Sequence, residues 1–406
     1  MVVQLVRIPA CHAGGRGFEP HPPRHSFYKQ KIQKLSFCFY FISILDDITL
    51  CIYTYSIRKY ILKLSILFGG ASFEHEISIV SAITLKEKLS GFDLSFIFCD
   101  EDHSFYLIDA VSMKATTFSK GNHKKMPLLT LSNGGFVQKS MFSSVEHKNV
   151  VLNLVHGADG EDGTLASLLD FYNIKYIGPR TDASVFSYDK RYTKFFCESR
   201  GIKTLKYETQ RLHEHKPLSL EYPMIVKPAS LGSSIGVSIV KEESELDYAL
   251  DSAFEYDENV LIEPFMEGVK EYNLAGFYAE GAFHFSIVEE PQKEEFLDFE
   301  KKYMDFSRSE QVLKADISDD LVSKLQATFE KVYTGMFEGA LIRCDFFVIN
   351  NVVYLNEINP IPGSMANYLF KDFKASIKLL SLSLPVKNRP KVTYEYIHSI
   401  SSAKGK

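Results

Sequence analysis

The stretch LIRCDFFVINNVVYLNEINPIPGS, Leu341 to Ser364, predicts two acidic β-strands joined by a tight turn and followed by a Pro/Gly-rich loop. The apolar and β-branched residues on both sides of the turn are typical of strands. Asp345, Glu357 and Asn359 supply side-chain oxygens, which a hard cation such as Mg²⁺ takes as ligands alongside substrate phosphates. Taken alone, the stretch is equally consistent with an acidic hairpin on a sheet surface.

The length of the turn decides whether these side chains can form one site, because residues on a strand alternate between the two faces of a sheet. A two-residue turn at Asn350-Asn351 would place Asp345 opposite Asn356 and direct Glu357 to the other face. A three-residue loop centred on Asn351, or a bulge, would keep both carboxylates on one face. Asn tolerates the left-handed backbone that such a turn needs. A metal site here therefore requires an odd-length loop or a bulge.

Length and composition describe an ordinary soluble enzyme. The chain has 406 residues, enough for two or three domains, with 45% hydrophobic and 24% charged residues. The formal net charge of -5 argues against general nucleic-acid binding. Six cysteines occur without a C-x-x-C pair, which indicates reduced thiols and a cytoplasmic location.

Residues 1–62 differ from the rest of the chain. Residues 1–28 are rich in Pro, Gly, Arg and His, and the run 2–26 resembles a translated transfer-RNA gene. The apolar run 37–45 is interrupted by Asp46 and Asp47, well short of the roughly 20 residues that span a bilayer, so we expect no membrane anchor. We expect this extension to be a misassigned start or disordered, with the physiological protein beginning near residues 61–63.

From residue 63 strands and helices alternate. LSILFGG, LSFIFCD and NVVLNLVHG predict buried strands, and SFEHEISIVSAITLKEKL between the first two predicts an amphipathic helix. The pattern predicts a doubly wound parallel α/β domain over residues 63–180, in which ligands bind at the carboxyl ends of the strands. Glu76 and His156 follow two such ends.

A second group of candidate residues could meet phosphates. ASLGSSIG, Ala229 to Gly236, is a loop of small residues between two predicted strands, and its amides with the hydroxyls of Ser233 and Ser234 can hold phosphate oxygens. The alternative is a flexible hairpin. Lys227 lies on the apolar strand before this loop and needs a partner if it is buried, for which a phosphate is suitable.

Weaker candidates flank this group. Lys190 lies in a predicted helix and, taken alone, is typical of a surface lysine. The strand VLIEPF ends at Glu263 to Phe265, where backbone groups can meet an adenine, and Glu271 can accept from ribose hydroxyls. Each of these acids is singly consistent with an ordinary surface residue. The polar segment 291–311 is long enough to be a mobile functional loop.

In order and spacing, these residues resemble the D-alanine–D-alanine ligase family of the ATP-grasp superfamily. Eight motifs carry the resemblance, over residues 64–390: FGGASFEHEISIVSA, NLVHGADGEDGTL, YIGP, IVKPASLGSSIGVS, LIEPF, EKKYMD, IRCDFF and NEINPIPG. The implied fold is the N-terminal α/β domain, 63–180, followed by a two-lobed ATP-grasp fold. Its central lobe is 181–265 and its catalytic and metal lobe is 266–395, with a tail at 396–406.

The resemblance implies an activity and its cofactors. ATP phosphorylates the carboxylate of one D-alanine, and the amine of a second attacks the acyl phosphate to give D-alanyl-D-alanine for peptidoglycan precursors. Asp345, Glu357 and Asn359 would hold two Mg²⁺ or Mn²⁺ ions. Arg343 and the amide of Gly363 would stabilise the oxyanion of the tetrahedral intermediate.

The resemblance also implies the nucleotide contacts. Lysines would neutralise the phosphates, and Lys302 on the mobile loop would reach the γ-phosphate and close the site against water. The implied ATP-binding residues are Lys190, Lys227, Ser234, Glu263, Phe265, Glu271 and Lys302.

For the amino-acid substrates, the resemblance implies that Glu76 binds the ammonium of the first D-alanine. Glu76 would form a hydrogen-bonded set with Ser233 and Tyr303, and His156 would line the same pocket. Tyr303, rather than Phe, favours D-alanine over D-lactate as the second substrate.

The second subsite departs from the family. The aligned pair is Tyr368 and Leu369 where the family commonly has Ser and Leu, so the choice of second amino acid stays open. The alternatives are a D-alanine–D-lactate ligase, another ATP-grasp carboxylate–amine ligase, a nucleotide-binding regulator without catalysis, and a membrane-tethered interaction protein built on residues 35–62. We expect a homodimer, with no nucleic-acid or membrane partner.

Overall fold

Three β-sheets organise the chain in the computed structural model, which describes residues 62–214, 216–291, 314–388 and 390–404. The expectations for residues 1–61 and the roles predicted for Lys302 and Tyr303 lie outside the described residues.

The first sheet is built from eight strands near the start of the described chain. They are β1 (Lys63–Gly69), β2 (Asp93–Cys99), β3 (Phe105–Ile108), β4 (Leu128–Ser132), β5 (Gly135–Lys139), β6 (Ser144–His147), β7 (Val150–Asn153) and β8 (Tyr176–Ile177). Their order is β6-β5-β4-β3-β2-β1-β7-β8. The predicted parallel α/β arrangement is confirmed for β2, β1, β7 and β8, whereas β2 to β6 pair antiparallel. The sequence analysis did not predict this antiparallel half, whose strands are joined by short connections except between β3 and β4, where residues 109–127 include a helix at Ala115–Ser119.

Three helices accompany this sheet: α1 (His75–Lys88), α2 (Ala115–Ser119) and α3 (Thr164–Phe171). Single 3₁₀ turns lie at Ala110–Ser112 and Asn122–Lys125. The buried face of α1 carries Ile79, Ala82 and Leu85 against the strands. The β1–α1 connection therefore holds Glu74, immediately before the helix, at the carboxyl end of the parallel strands.

The second sheet is antiparallel and follows two consecutive helices, α4 (Thr181–Tyr188) and α5 (Lys190–Ser199). Its strands are β9 (Glu208–Arg211), β10 (Met224–Pro228), β11 (Ser238–Val240) and β12 (Asn259–Pro264), in the order β11-β10-β12-β9. Helix α6 (Leu246–Phe254), preceded by a 3₁₀ turn at Glu243–Glu245, packs Ala249, Leu250 and Ala253 against Val226 and Ile262. The predicted small-residue loop is confirmed as the connection between β10 and β11.

The third sheet contains the acidic hairpin. Its strands are β13 (Lys270–Ala279), β14 (Ala282–Glu289), β15 (Ile342–Ile349) and β16 (Val352–Asn359), in the order β14-β13-β15-β16. Helix α7 (Asp319–Tyr333) packs on one face with Leu325 and Phe329 fully buried. After β16 come a left-handed 3₁₀ segment (Gly363–Leu369), α8 (Phe373–Leu382) and α9 (Glu395–Lys404).

The turn of the acidic hairpin holds two residues, and a bulge corrects the register. Asn350 and Asn351 both have positive φ, 50° and 63°, as a two-residue type I′ turn requires. Ile349 pairs with Val352, and this regular pairing continues until a register shift between Asp345 and Phe346. Beyond the shift Asp345 pairs with Glu357, so one residue of β16 is extra. Of the two predicted solutions, the bulge is the one found and the three-residue loop is wrong.

The described residues belong to one compact unit, Ile61–Lys406. Cys99, Cys197 and Cys344 are buried free thiols. Across the described ranges, no helix combines the length and the apolar character needed to traverse a lipid bilayer.

The turn gives a test of the hairpin. Replacing Asn351 by Val should lower the free energy of unfolding by about 1–2 kcal/mol, because a β-branched residue is strained at positive φ. Asn351→Gly, the matched control, should be as stable as the wild type because glycine adopts positive φ freely. Chemical denaturation followed by circular dichroism measures both, and equal stability of the two variants would contradict the turn described here.

Candidate active site

The third sheet presents its polar residues on one face. On β15, Cys344 and Phe346 are fully buried in the core, so Arg343 and Asp345 point to the opposite face. Asp345 pairs with Glu357 on one side and with Asn273 of β13 on the other. The bulge therefore completes a row of polar side chains across three strands.

Asp345 is the fixed centre of this row. Its carboxylate is 5% exposed and accepts two hydrogen bonds from Arg343, from Nε to Oδ1 at 2.7 Å and from Nη2 to Oδ2 at 2.8 Å. Asn359 Nδ2 donates to Oδ2 at 3.0 Å. Burial acts to lower the pKa of Arg343, but the Asp345 carboxylate outweighs it and holds that pKa well above its usual value. The guanidinium is therefore a permanent, oriented charge.

Glu357 is the electrostatic link between the sheets. Burial is the largest influence on the pKa of Glu74, Glu161, Lys190 and Lys227, and the negative charge of Glu357 raises the pKa of all four. This shared influence places the carboxylate among groups from all three sheets. Within the described ranges, the side chain of Glu357 makes no hydrogen bond or ion pair.

Lys227 has a protein partner that the sequence analysis did not identify. Its Nζ donates to Glu263 Oε2 at 2.8 Å, and Lys194 Nζ donates to Glu263 Oε1. Although burial opposes ionisation, the two lysines lower the pKa of Glu263 to about 2. The carboxylate of Glu263 thus holds Lys227 in place and is 2% exposed. Because the Glu263 side chain is bonded to the two lysines, only the backbone of Glu263 is available for the predicted contact with an adenine.

The loop between β10 and β11 meets Glu74. Ser233 and Ser234 have positive φ, 56° and 59°, a backbone form that turns successive N–H groups toward an anion. Ser233 Oγ donates to Glu74 Oε1 at 2.7 Å. A Cβ atom at Gly232 would lie 3.0 Å from Oε1, and one at Gly157 would lie 3.0 Å from Oε2. Two glycines therefore leave room for this buried carboxylate.

This contact corrects the prediction for Glu76. The partner of Ser233 is Glu74, and the side chain of Glu76 is exposed. Residues two apart at the start of a helix point in nearly opposite directions, so only one of the two acids can face the loop. The motif SFEHE contains both acids, and nothing in its spacing distinguished them.

His156 lies in a buried chain of hydrogen bonds. Ser364 N donates to Ser81 Oγ at 3.0 Å, and Ser81 Oγ lies 3.2 Å from His156 Nε2. The other ring nitrogen, Nδ1, is 3.6 Å from Glu161 Oε1. Burial lowers the pKa of His156 to about 4 and raises that of Glu161 to about 8. The imidazole is therefore neutral and Glu161 largely protonated at neutral pH.

The segment that follows β16 also contacts Arg343. Ser364, Met365 and Ala366 are all left-handed, with φ of 47°, 54° and 48°, which turns the chain sharply after Gly363. Arg343 Nη1 donates to the hydroxyl of Tyr368 at 3.4 Å. The adjacent Leu369 is fully buried in the hydrophobic core. Of the two predicted second-subsite residues, Tyr368 thus reaches the polar face.

The remaining residues predicted to bind the nucleotide lie in or next to the second and third sheets. Lys190 opens α5 and donates from Nζ to the carbonyl of Leu231, at the start of the small-residue loop. Phe265 follows β12, and its N–H donates to Pro223 O at 2.9 Å. Glu271 lies on β13 opposite Phe347, on the same strand as Asn273. Lys190 thus borders the small-residue loop, and Glu271 lies on a strand of the sheet that carries the acidic row.

A cavity of about 530 Å³ opens beside Glu74. Its lining includes the β1–α1 connection, Gly157 and Ala158 after β7, and Ser230 and Leu231 of the small-residue loop. A volume of this order suits a small ligand enclosed between elements of the first and second sheets.

Four side chains of the site were missed by the sequence analysis: Glu74, Glu161, Lys194 and Glu289. Lys190 and Lys194 are four residues apart on one helix, which was a usable signal for a shared face. Glu289 accepts from Asn273 Nδ2 at 3.0 Å and extends the polar row to β14. Only the antiparallel register, which the sequence did not provide, brings Glu289 to the row.

Comparison with protein families matches both parts of the described chain. The model for the D-ala D-ala ligase N-terminus matches residues 63–179, and that for the D-ala D-ala ligase C-terminus matches residues 196–376.

Individual relatives agree with these models. The chain is 72% identical over 345 residues to a D-alanine–D-alanine ligase from Sulfurimonas denitrificans, covering 85% of this chain and 100% of the relative. It is 55% identical over 346 residues to one from Wolinella succinogenes, covering 85% and 100%. The crystal structure of the D-alanine–D-alanine ligase from Helicobacter pylori is similar with a TM-score of 0.72 and 50% identity, covering 80% of this chain and 100% of that one.

The buried Lys194–Glu263–Lys227 group gives a prediction for stability. Glu263→Gln should lower the free energy of unfolding at pH 7 by about 3–5 kcal/mol, because two buried lysines lose their counter-charge. The folded-state pKa of Glu263 is about 2 against an ordinary value of 4.5, so its contribution is full above pH 4.5 and is lost as the pH falls toward 2. Urea denaturation across this range measures the difference between wild type and variant. A difference that does not shrink with acidification would contradict the ion-pair assignment.

Proposed function

The chain belongs to the D-alanine–D-alanine ligase family, and from this premise we propose which of its residues carry out the reaction. The enzyme uses ATP to join two D-alanines into D-alanyl-D-alanine, through a D-alanyl phosphate, for peptidoglycan precursors. Phosphoryl transfer depends mainly on positioning and on neutralising charge. The assignment of roles therefore starts from the charged groups.

We assign the phosphates and metal ions to the face of the third sheet. The observation that carries this proposal is the pairing of Asp345 with Glu357, with Lys190 and Lys227 within the electrostatic reach of Glu357. Glu357 has no protein counter-ion within the described ranges, and the amide oxygen of Asn359 is available while its Nδ2 bonds to Asp345. This oxygen-rich donor set fits two Mg²⁺ or Mn²⁺ ions, which when bound neutralise phosphate charge and orient ATP.

Two lysines and the small-residue loop complete the ATP site. Lys190 and Lys227 neutralise phosphate oxygens, and the left-handed backbone at Ser233 and Ser234 presents N–H groups to the same oxygens. When the nucleotide binds, the Lys227 ammonium either leaves the Glu263 carboxylate or contacts both this carboxylate and a phosphate. The adenosine part lies along Glu263 to Phe265 and Glu271, with Glu271 accepting from ribose hydroxyls. Lys302 reaches the γ-phosphate from the polar segment.

The first D-alanine binds beside Glu74, in place of the predicted Glu76. Burial is the largest cause that raises the pKa of Glu74, so an ionised carboxylate at this position is unfavourable without a nearby cation. A substrate ammonium supplies that cation. Ser233 orients Glu74, Tyr303 joins the same set, and His156 lines the pocket as a neutral hydrogen-bonding group.

Acyl transfer takes place between Arg343 and the segment after β16. Arg343 is held by the two hydrogen bonds that it donates to Asp345, so its remaining N–H groups are pre-oriented toward the developing oxyanion, together with the amide of Gly363. Tyr368 lies against Arg343 Nη1 and therefore borders the second D-alanine. Leu369 supports this wall from the core.

Three broader proposals follow from family membership. The chain divides into an extension (1–62), an N-terminal domain (63–180), two ATP-grasp lobes (181–265 and 266–395) and a tail (396–406), a division that the three sheets support. The enzyme acts in the cytoplasm and forms a homodimer. Light scattering of the purified chain tests the dimer.

The activity itself is tested with purified protein, ATP, Mg²⁺ and D-alanine. D-Alanyl-D-alanine and phosphate should form in equal amounts, and L-alanine or D-lactate in place of D-alanine should give little ligated product. Glu357→Gln should lower turnover by about a hundredfold or more, since it removes a charge that positions the transferring phosphoryl group. Glu330→Gln, an exposed acid on α7, is the matched control. Phosphate release without dipeptide, or an active Glu357→Gln enzyme, would contradict the assignment.

The corrected ammonium site is tested by two neighbouring acids. Glu74→Gln should lower kcat/KM for D-alanine by about a hundredfold, because a buried carboxylate facing the ammonium is lost. Glu76→Gln, two residues away and exposed, should stay within about threefold of the wild type. Steady-state kinetics with varied D-alanine separates them. If Glu76→Gln is the more damaging change, the original prediction is right and the correction is wrong.

A further inference from the structure

A cluster of three metal-ligating side chains lies in the first sheet, outside the site described above. Asp100 and Glu101 follow β2, and His123 lies in the 3₁₀ turn Asn122–Lys125. One ligand atom from each residue lies within 4.8 Å of the others. This limit is close to the separation between ligands of one bound ion, about 3.3–4.2 Å for bonds of 2.0–2.2 Å, so at most small side-chain movements bring the three atoms onto one ion.

His123 supplies an independent sign of a missing ligand. Its side chain is 5% exposed, and neither Nδ1 nor Nε2 has a hydrogen-bond partner in the part of the chain that the structure describes. A buried polar group without a partner is rare in folded proteins. Its ring is fixed by aromatic contacts, with centroid distances of 4.8 Å to Phe98 and 5.5 Å to Tyr106. The histidine is therefore held rigidly beside two carboxylates without bonding to either.

The protonation state of His123 suits metal binding. Burial lowers the pKa of His123 and outweighs the opposing charges of Asp100 and Glu101. The imidazole is therefore neutral near pH 7, with a nitrogen lone pair available to a cation.

The two carboxylates differ in a way that suits a binding site. Asp100 is 1% exposed, and its Oδ1 is fixed by N–H groups of Asp102, at 3.1 Å, and Ser104, at 2.8 Å. Glu101 is exposed and forms a solvent-accessible ion pair with Lys124 at 3.6 Å. Two ligands are thus preorganised by burial, and the third is free to move onto an ion that enters from solvent.

We propose that Asp100, Glu101 and His123 bind a divalent transition-metal ion of the Zn²⁺ type, separate from the ions on Asp345 and Glu357. One imidazole with two carboxylates suits Zn²⁺ and its neighbours better than Mg²⁺, which favours oxygen ligands alone. The ion ties the β2–β3 turn to the 3₁₀ turn. It therefore stabilises the wall from which Glu101 reaches the cavity beside Glu74.

The experiment measures metal binding to the full chain after chelator treatment, without nucleotide. Zn²⁺ is titrated in competition with a chromophoric chelator, and Co²⁺ is titrated while its visible absorption is recorded. The variants are Glu101→Gln, which is exposed and does not disturb the core, and His123→Phe, which keeps the aromatic packing. The matched control is His103→Gln, since the exposed His103 ring lies within hydrogen-bond distance of Asp159, Nε2 to Oδ2 at 2.9 Å, in the same region.

The wild type and His103→Gln should each bind one Zn²⁺, and the midpoint of thermal unfolding of each should rise when the ion is bound. Glu101→Gln and His123→Phe should each weaken binding by about tenfold or more and reduce the Co²⁺ absorption. Binding that is unchanged in Glu101→Gln would assign the ion to other residues and overturn the proposal. The absence of Zn²⁺ binding in the wild type would also overturn the proposal. Because activity is not the readout, failure here is distinguishable from failure of the proposed ligase roles.

Discussion

The alternation of side chains along a strand constrains this active site more than any other single factor. Asp345 and Glu357 must share a face with each other and with Asn359, while Cys344, Phe346 and Leu355 must stay in the core. A two-residue turn alone cannot satisfy both requirements. One extra residue in β16 does so, because the bulge resets the alternation between Leu355 and Glu357. The turn and the bulge together therefore determine which side chains lie on the polar face of the site.

Charge balance explains why the surrounding groups lie where they do. Burial is the main cause that raises the pKa of Glu74 and of Glu161, and the charge of Glu357 raises both pKa values further. The charge of Glu357 also raises the pKa of Lys190 and Lys227, and burial works against their charges too. Such an arrangement is favourable only with complementary charges nearby, and the ligands proposed above, an ammonium, metal ions and phosphates, would supply them. Although burial acts to lower the pKa of Lys227, the charge of Glu263 raises it, so this lysine stays ionised.

Much of this arrangement was predictable from the sequence, for identifiable reasons. Local patterns located β15, β16, the small-residue loop and the strand ends, because periodicity and turn residues are properties of short segments. The alternation argument even required a loop or bulge before either was observed. The choice between Glu74 and Glu76 was not predictable, since it depends on where α1 begins relative to a loop 159 residues away. The same holds for the Lys194–Glu263 pair and for Glu289, whose partners come from tertiary packing and strand register.

The segment after β16 joins the acidic hairpin to the first sheet through buried hydrogen bonds. Its left-handed residues turn the chain so that Ser364 N bonds to Ser81, and Ser81 in turn lies against His156. The same turn carries Tyr368 to Arg343. One short segment therefore contacts both Ser81, beside His156, and Arg343, so a change in it would alter both of the proposed substrate subsites together. For this reason the departure at Tyr368 matters for the proposed second subsite: its hydroxyl contacts Arg343 while the arginine keeps its hydrogen bonds to Asp345.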